Sequence, residues 1–287
     1  MIPAAFDYQR AKSLDEALGL IGTSGTKVIA GGMSLLPLMK LRLAGPERLV
    51  DIGRLTELKG VRKLDDGRLA IGALTTYSEL GDSPARNYGL IRDALPEIGD
   101  VQVRNRGTVG GSVAHCDPAS DLPAVLLALD AEIVARSKRG EKVYPADGFF
   151  VGPFATALAE DELVTEIRLI GPRDDAGSAF VAINQRASGY SIVGVAAVVI
   201  KEGGGSAITR AMVALTGVGE VPYRAKAVEA ALVGNEGSAE AIEAAAAHAT
   251  DGVTVNADIH ADAEYRTAMA AVCTRRAIQA ALVRLNE

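Results

Sequence analysis

Apolar residues at Leu14, Ala17, Leu18 and Ile21 recur at helical spacing behind Ser13, with Glu16 at the third helical position. The pattern predicts a short amphipathic helix over 13–21, opened by a serine cap and a capping box. Lys27-Val28-Ile29-Ala30 predicts a strand that stops at Gly31-Gly32, and Leu49-Val50-Asp51-Ile52 and Arg68–Gly72 predict two more, bounded by Gly and Asp. The run Leu122–Leu129 is apolar nearly all round, which predicts a buried helix with Pro123 tolerated in its first turn. Breakers and charges gather at Ile170–Gly177, where a domain boundary is expected. Beyond it, Ala179–Asn184, Ile192–Ile200 and Ile208–Leu215 predict three strands, the last two joined by a hairpin turn at Gly203-Gly204-Gly205. Helices come next over Arg224–Val233, Ala239–Thr250 and Ala263–Leu285, the last carrying Ala271, Ile278, Leu282 and Leu285 on one face.

Composition narrows the class without changing this outline. The 287 residues suit two domains, and 48% hydrophobic with 23% charged residues is an ordinary globular balance. A net charge of −6 gives no footprint for nucleic acid. The opening Met1–Asp7 does not read as a signal peptide, and the longest run of apolar residues and glycine, Ile192–Ile200, is too short for a membrane span, so a cytoplasmic protein is expected. Cys116 and Cys273 form no C-x-x-C pair, so no iron–sulfur cluster is expected on this chain. His115, His248 and His260 form no zinc-ligand pattern.

The candidate chemistry lies in two segments read as strand-to-helix glycine loops, Ala30-Gly31-Gly32-Met33-Ser34-Leu35-Leu36-Pro37 and Thr108-Val109-Gly110-Gly111-Ser112. Glycine lets backbone N–H groups approach a phosphate closely, and Ser34 and Ser112 are placed to cap the segment after each loop. Two such loops can grip the two phosphates of a dinucleotide, although a Gly-Gly pair after a strand is by itself only a tight turn. Neither loop fits the Rossmann or P-loop template. The second runs on to Asp117 and Asp121, carboxylates able to accept hydrogen bonds from sugar hydroxyls or to cap turns and the helix start.

Together, Ala30-Gly31-Gly32-x-Ser34-Leu35-x-Pro37, Thr108–Ser112 and Asp117-Pro118-x-x-Asp121 resemble the FAD-binding medium subunits of the aerobic carbon monoxide dehydrogenase and xanthine dehydrogenase group, the molybdenum hydroxylases. The resemblance covers nearly the whole chain, from Ile2-Pro3-x-x-Phe6-Asp7-Tyr8 to Asp258-Ile259-His260-Ala261-x-x-Glu264-Tyr265-Arg266. It implies an α+β fold: a vanillyl-alcohol-oxidase-type (PCMH-type) FAD-binding domain over 1–173, in subdomains of about 1–54 and 55–173, and a C-terminal domain over 178–287 made of a small antiparallel sheet plus helices. It further implies FAD held by Val28, Ile29, Ala30, Gly31, Gly32, Met33, Ser34 and Leu35 on one side and by Thr108, Val109, Gly110, Gly111 and Ser112 on the other. Asp117 and Asp121 would meet the sugar-like part, Val164 and Ile167 would pack near the flavin or adenine, and Tyr190 would stand by the isoalloxazine ring. Tyr190 also reads as an ordinary turn tyrosine after Gly189.

In such complexes an iron–sulfur small subunit carries 2Fe-2S clusters, and a molybdopterin large subunit carries the molybdenum cofactor and oxidises the substrate. The resemblance thus implies an electron relay from a 2Fe-2S subunit through FAD to NAD, quinone or oxygen, in a dimer of heterotrimers. Carbon monoxide dehydrogenases proper tend to carry His where this chain has Met33 and Asn where it has Ser112, so the substrate stays open between carbon monoxide, aldehydes, purines and N-heterocycles. A stand-alone flavin reductase of the same fold and a non-catalytic binding module are the competing readings. Cys116 reads as a small buried residue, the His260 segment as an exposed cap, and Arg104-Asn105-Arg106 as surface charge or as support for FAD phosphates.

Overall fold

The computed structural model describes residues 1–285 and builds them on three sheets and a hairpin. The first sheet is parallel, with strands β1 (Asp7–Arg10), β2 (Thr26–Ile29) and β3 (Arg48–Asp51) in the order β1-β3-β2. Helix α1 (Leu14–Leu20) connects β1 to β2, and α2 (Leu35–Lys40) connects β2 to β3. Ala17, Leu18 and Ile21 pack with Val50, Ile52 and Leu55 into a small core, so the period read from the sequence is the one that is buried. The Ser13 hydroxyl accepts the Glu16 N–H at 3.1 Å as expected. Glu16, however, takes the Lys12 N–H at 2.8 Å, so only half of the expected capping box forms there. A full box forms at Thr76 and Glu79 instead.

The second sheet is antiparallel and contains β4 (Val61–Lys63), β5 (Leu69–Gly72), β6 (Glu132–Ser137), β7 (Gly140–Pro145) and β10 (Leu163–Leu169), in the order β4-β5-β10-β6-β7. The hairpin β8 (Phe150–Gly152) and β9 (Ala155–Thr156) lies outside it. Between β5 and β6 run five helices: α3 (Tyr77–Gly81), α4 (Gly89–Glu97), α5 (Val101–Arg104), α6 (Val109–His115) and α7 (Asp121–Ala128). Every residue of α7 is buried, which accounts for its lack of a polar face.

The third sheet, β11 (Ala176–Asn184), β12 (Ser191–Ile200), β13 (Arg210–Thr216) and β14 (Tyr223–Arg224), is an antiparallel meander. Helices α8 (Lys226–Leu232), α9 (Ala239–Ala246) and α10 (Ala263–Leu285) come after it. Along β12, Val193, Val195, Ala197 and Val199 face the core shared with these helices, while Ala196, Val198 and Ile200 face the core that contains α7. Burial on both faces is why that strand reads as one apolar run and not as an alternation. Gly203-Gly204-Gly205 does join β12 to β13, through a turn in which Gly203 and Gly204 both take φ near +70°. On α10 the buried line is Ala270, Cys273, Thr274, Ala277, Ile278, Ala281 and Leu282. Ala271 and Leu285 are only half-buried, and α10 lies so close on β11 that a Cβ on Gly177 would come within 1.9 Å of the Ala281 carbonyl oxygen. No helix among the described residues is long and apolar enough to cross a membrane.

Candidate cofactor site

The first glycine segment leaves β2 and enters α2 as expected. Val28 and Ile29 end the strand, both half-buried at a sheet edge, and Ala30 begins the turn. Gly32 takes φ +78°, a left-handed conformation that favours glycine. Gly31 is required for a different reason: a Cβ there would lie 2.0 Å from the carbonyl oxygen of Arg106, so the first glycine segment packs backbone to backbone against the residues leading into the second. Ser34 ends the turn in right-handed geometry and its hydroxyl caps nothing, contrary to expectation. Among the described residues, none of the N–H groups of Gly31, Gly32, Met33, Ser34 and Leu35 has a hydrogen-bond partner. Five successive amides without a protein partner in a half-buried, glycine-containing turn are donors free to meet an anion.

The second segment departs from its expected form. It connects helix α5 to helix α6 and no strand precedes it; the only pairing is an isolated bridge between Thr76 and Thr108. Thr108, not Ser112, is the cap, and its hydroxyl accepts the Gly111 N–H at 3.2 Å. Gly110 and Gly111 therefore lie within the first turn of α6, a placement that helix propensity disfavours. Its amides are already engaged: Val109 N–H donates to Thr75 O at 3.0 Å, Gly110 N–H to Ala73 O at 2.8 Å and Ser112 N–H to Thr108 O at 3.0 Å. Gly110 is glycine because a Cβ would meet Ala73 Cβ at 2.5 Å. Gly111 is exposed, and a Cβ there would approach only Thr108 within 4 Å, so its outer face is open. The two segments thus offer different things: free donors from 31–35 and a side-chain-free surface from Gly111.

A polar cluster lies close to these segments, linked to Ser34 through Tyr190. The Ser112 and Ser120 hydroxyls meet at 2.9 Å. Asp117 folds back on the Ala119 N–H at 2.9 Å, the turn-capping role that competes with ligand binding, and only one of its oxygens is engaged that way. The Asp121 carboxylate is 4% exposed and bonded to the Ser191 hydroxyl at 2.6 Å. Burial pushes Asp121 up to about 7; the Ser191 hydrogen bond opposes this, while Glu97 and Asp117 add to it. Tyr190 is 44% exposed, and its hydroxyl faces the cleft residues Asp117 and Ser34. Burial raises that phenol, the Asp117 carboxylate raises it further, and the Ser34 hydroxyl opposes the shift, so Tyr190 spans from one glycine segment to the acidic one. Tyr77 packs below, its phenol raised to about 12 by burial and lowered in part by Ser112.

Val164 and Ile167 lie elsewhere in the same layer. Both sit on β10 at 4% and 0% exposure, with Ile167 paired between Ile71 and Ile133, so they form the floor of the core and not the cleft surface. Arg104 is structural: its guanidinium donates to the carbonyls of Pro96, Ile98 and Gly99 at 3.2, 3.0 and 2.9 Å. Cys116 is buried at the end of α6 with φ +51°, and burial pushes its thiol up to about 11. His260 is exposed, its N–H held by Asp258 Oδ1 at 2.8 Å. Sequence reasoning misses Tyr77, Ser120, Asn184 and Ser191. No motif marks them, and Ser191 reaches Asp121 across 70 positions of chain.

Residues 4–170 match the family described as the FAD binding domain in molybdopterin dehydrogenase, and residues 178–281 match the CO dehydrogenase flavoprotein C-terminal domain. The chain therefore belongs to the FAD-binding flavoproteins of the molybdenum hydroxylase family, as an oxidoreductase subunit whose cofactor is FAD. It is 39% identical to the carbon monoxide dehydrogenase medium chain of Hydrogenophaga pseudoflava, over 99% of each chain. It is 37% identical to the 6-hydroxypseudooxynicotine dehydrogenase complex subunit alpha of Paenarthrobacter nicotinovorans, over 99% of this chain and 97% of that one. The solved carbon monoxide dehydrogenase from Hydrogenophaga pseudoflava that lacks the Mo-pyranopterin moiety superposes with a TM-score of 0.94 at 41% identity, covering 99% of both chains.

Proposed function

We propose that the chain holds FAD in the cleft between 30–34 and 108–112 and relays electrons within a larger complex. The observation that carries the reading is the run of five unpaired amides at 31–35, which suits a pyrophosphate better than water alone. Gly111 admits the cofactor to close approach, Ser112 and Tyr190 offer hydroxyls, and Asp117 and Asp121 offer acceptors to a ribose or ribityl chain. Val164 and Ile167 would act only indirectly, by holding the core on which the site rests. FAD, when bound, supplies the redox chemistry, accepting electrons singly and releasing them singly or in pairs. The protein's own part is to bind, orient and shield.

The rest of the assembly is inferred from the relatives. A 2Fe-2S small subunit would deliver electrons, a molybdopterin large subunit would oxidise the substrate, and the whole would form a cytoplasmic dimer of heterotrimers. The external acceptor would be NAD, quinone or oxygen. Residues 1–173 would act as the FAD-binding domain and 178–287 as the C-terminal domain. Because the medium chain and the subunit alpha are named after such different compounds, substrate choice is assigned to the large subunit and not to this chain. Co-purification of the chain with its genomic neighbours, followed by flavin, iron and molybdenum analysis, tests the proposal. A complex with FAD on this chain and both metals on partners supports it; a flavin-free chain that cannot be loaded with FAD overturns it.

A further inference from the structure

Asp121 ends a hydrogen-bond chain that leaves the cleft and crosses into the third sheet. Its carboxylate lies 2.6 Å from the Ser191 hydroxyl, that hydroxyl lies 2.9 Å from Asn184 Oδ1, and Asn184 Nδ2 lies 2.7 Å from Glu97 at the end of α4. Asp121 and Ser191 are buried, Asn184 is half-buried and Glu97 is at the surface. Three contacts require three hydrogens. The amide supplies the one toward Glu97 and the serine supplies one more, which leaves one contact between two acceptors.

The missing hydrogen is a titratable proton. With the amide as placed, Ser191 donates to Asn184 and Asp121 donates its own acid proton to Ser191. With the amide reversed, Nδ2 would face Ser191, the serine would donate to Asp121, and the proton would be needed between Asn184 and Glu97. In either orientation the intact chain carries one proton on one of its two end carboxylates. Burial decides between them, because an ionised carboxylate with a single neutral donor is costly at 4% exposure. The titratable groups facing Asp121 reinforce this: Glu97 from α4 and Asp117 from the segment before α7 are like charges, and Tyr77 from α3 and Tyr190 from the turn before β12 are neutral phenols. No basic side chain bonds to Asp121 among the described residues.

We propose that Asp121 is held as a protonated acid in the flavin-free chain well above the pH at which an exposed carboxylate ionises, and that Ser191, with Asn184 and Glu97 behind it, is the positioning residue that sets when it ionises. As Asp121 loses its proton, the Ser191 hydroxyl turns from Asn184 to the carboxylate, so one serine serves both states. A residue of the third sheet thereby controls the charge of a group in the cofactor cleft. One consequence rests on the FAD reading: sugar hydroxyls donating to Asp121 favour its ionised form, so FAD binding releases a proton. Affinity then weakens about tenfold for each pH unit below the Asp121 midpoint.

The test is infrared spectroscopy of the flavin-free full-length chain, following the protonated carboxylic acid carbonyl band through a pH titration. The expected result is a band that disappears near neutrality and is missing in Asp121→Asn. Ser191→Ala removes the donor to the ionised form and moves the midpoint upward, Ser191→Thr restores it, and Glu97→Gln moves it downward. A purely structural role for Ser191 would leave the midpoint in place. A spectrum unchanged by Asp121→Asn, or a midpoint indifferent to Ser191→Ala, overturns the proposal. FAD titration in buffers of different ionisation enthalpy is a separate arm: failure to bind FAD would sink the cofactor reading while the infrared result still decides this one.

Discussion

Gly31→Ala is the most direct probe of the contact between the first glycine segment and the backbone leading into the second. The added methyl would sit 2.0 Å from the Arg106 carbonyl oxygen and 2.8 Å from its carbon, whereas real Cβ contacts begin near 3.0 Å. Both partners are backbone, so no side chain can swing away, and the segments must part by about 1 Å. Overpacking of that kind costs about 1–3 kcal/mol of stability. The greater effect falls on the cleft, since the amides of 31–35 move with Gly31. Losing one hydrogen bond to a charged phosphate costs about 1.5–3 kcal/mol, or roughly 10–100-fold in affinity. Quenching of flavin fluorescence on titration into the flavin-free chain measures the affinity, and thermal unfolding of the same sample measures the stability. Gly45→Ala is the control, because nothing lies within 4 Å of its Cβ. If Gly31→Ala bound FAD like the parent and unfolded at the same temperature, the backbone contact would not be what shapes the site.

Three further outcomes are expected. Burial raises Asp121 from 3.8 to about 7, so between those values the folded flavin-free chain holds a proton that the unfolded chain has released; stability therefore falls as pH rises from 3.8 to 7, and urea unfolding across that range should show a slope that Asp121→Asn flattens. Both thiols are buried and pushed up to about 11, so a disulfide reagent at mildly alkaline pH should find none in the folded protein and two after unfolding. Arg266, 4% exposed, donates to the Ile192 and Gly217 carbonyls and to Asp258, each at 2.6 Å. Arg266→Met should cost about 3 kcal/mol, seen as a fall in Tm of roughly 6–12 °C by calorimetry.

Much of this structure is written locally. The helix behind Ser13, the strand that stops short of Gly31, the wholly buried α7 and the three long strands of the last sheet each arise from spacing that a short window contains. What the window lacks is the partner. Gly110-Gly111 reads as a loop because glycine weakens helices, yet Ala73 stands where a Gly110 Cβ would go and forces glycine into a first helical turn. Glu16 stands at the right spacing for a capping box but bonds Lys12, since the chain entering the helix brings that amide nearer. The site divides the same way. The first glycine segment is legible as a motif, whereas the closure over Asp121 depends on Ser191 and Asn184, polar residues at the mouth of a hairpin that carry no signal until the sheet folds back onto α7.

The backward reach of that sheet also bears on how the protein can be cut. The Thr216 hydroxyl lies 2.9 Å from the carbonyl oxygens of both Pro118 and Ser120 and shares its one hydrogen between them, and Gly217 N–H donates to the Pro118 carbonyl at 2.8 Å. These bonds pin the stretch that carries Asp117 into α7. A gene truncated at the linker would encode both glycine segments and the acidic residues of the cleft, losing Tyr190 and Ser191, and it would leave those carbonyls and Asp121 facing an exposed apolar wall. The cofactor half expressed alone is therefore expected to be less stable than the full chain, and dissection or domain grafting within this lineage should carry the hairpin of β12 and β13 along with it.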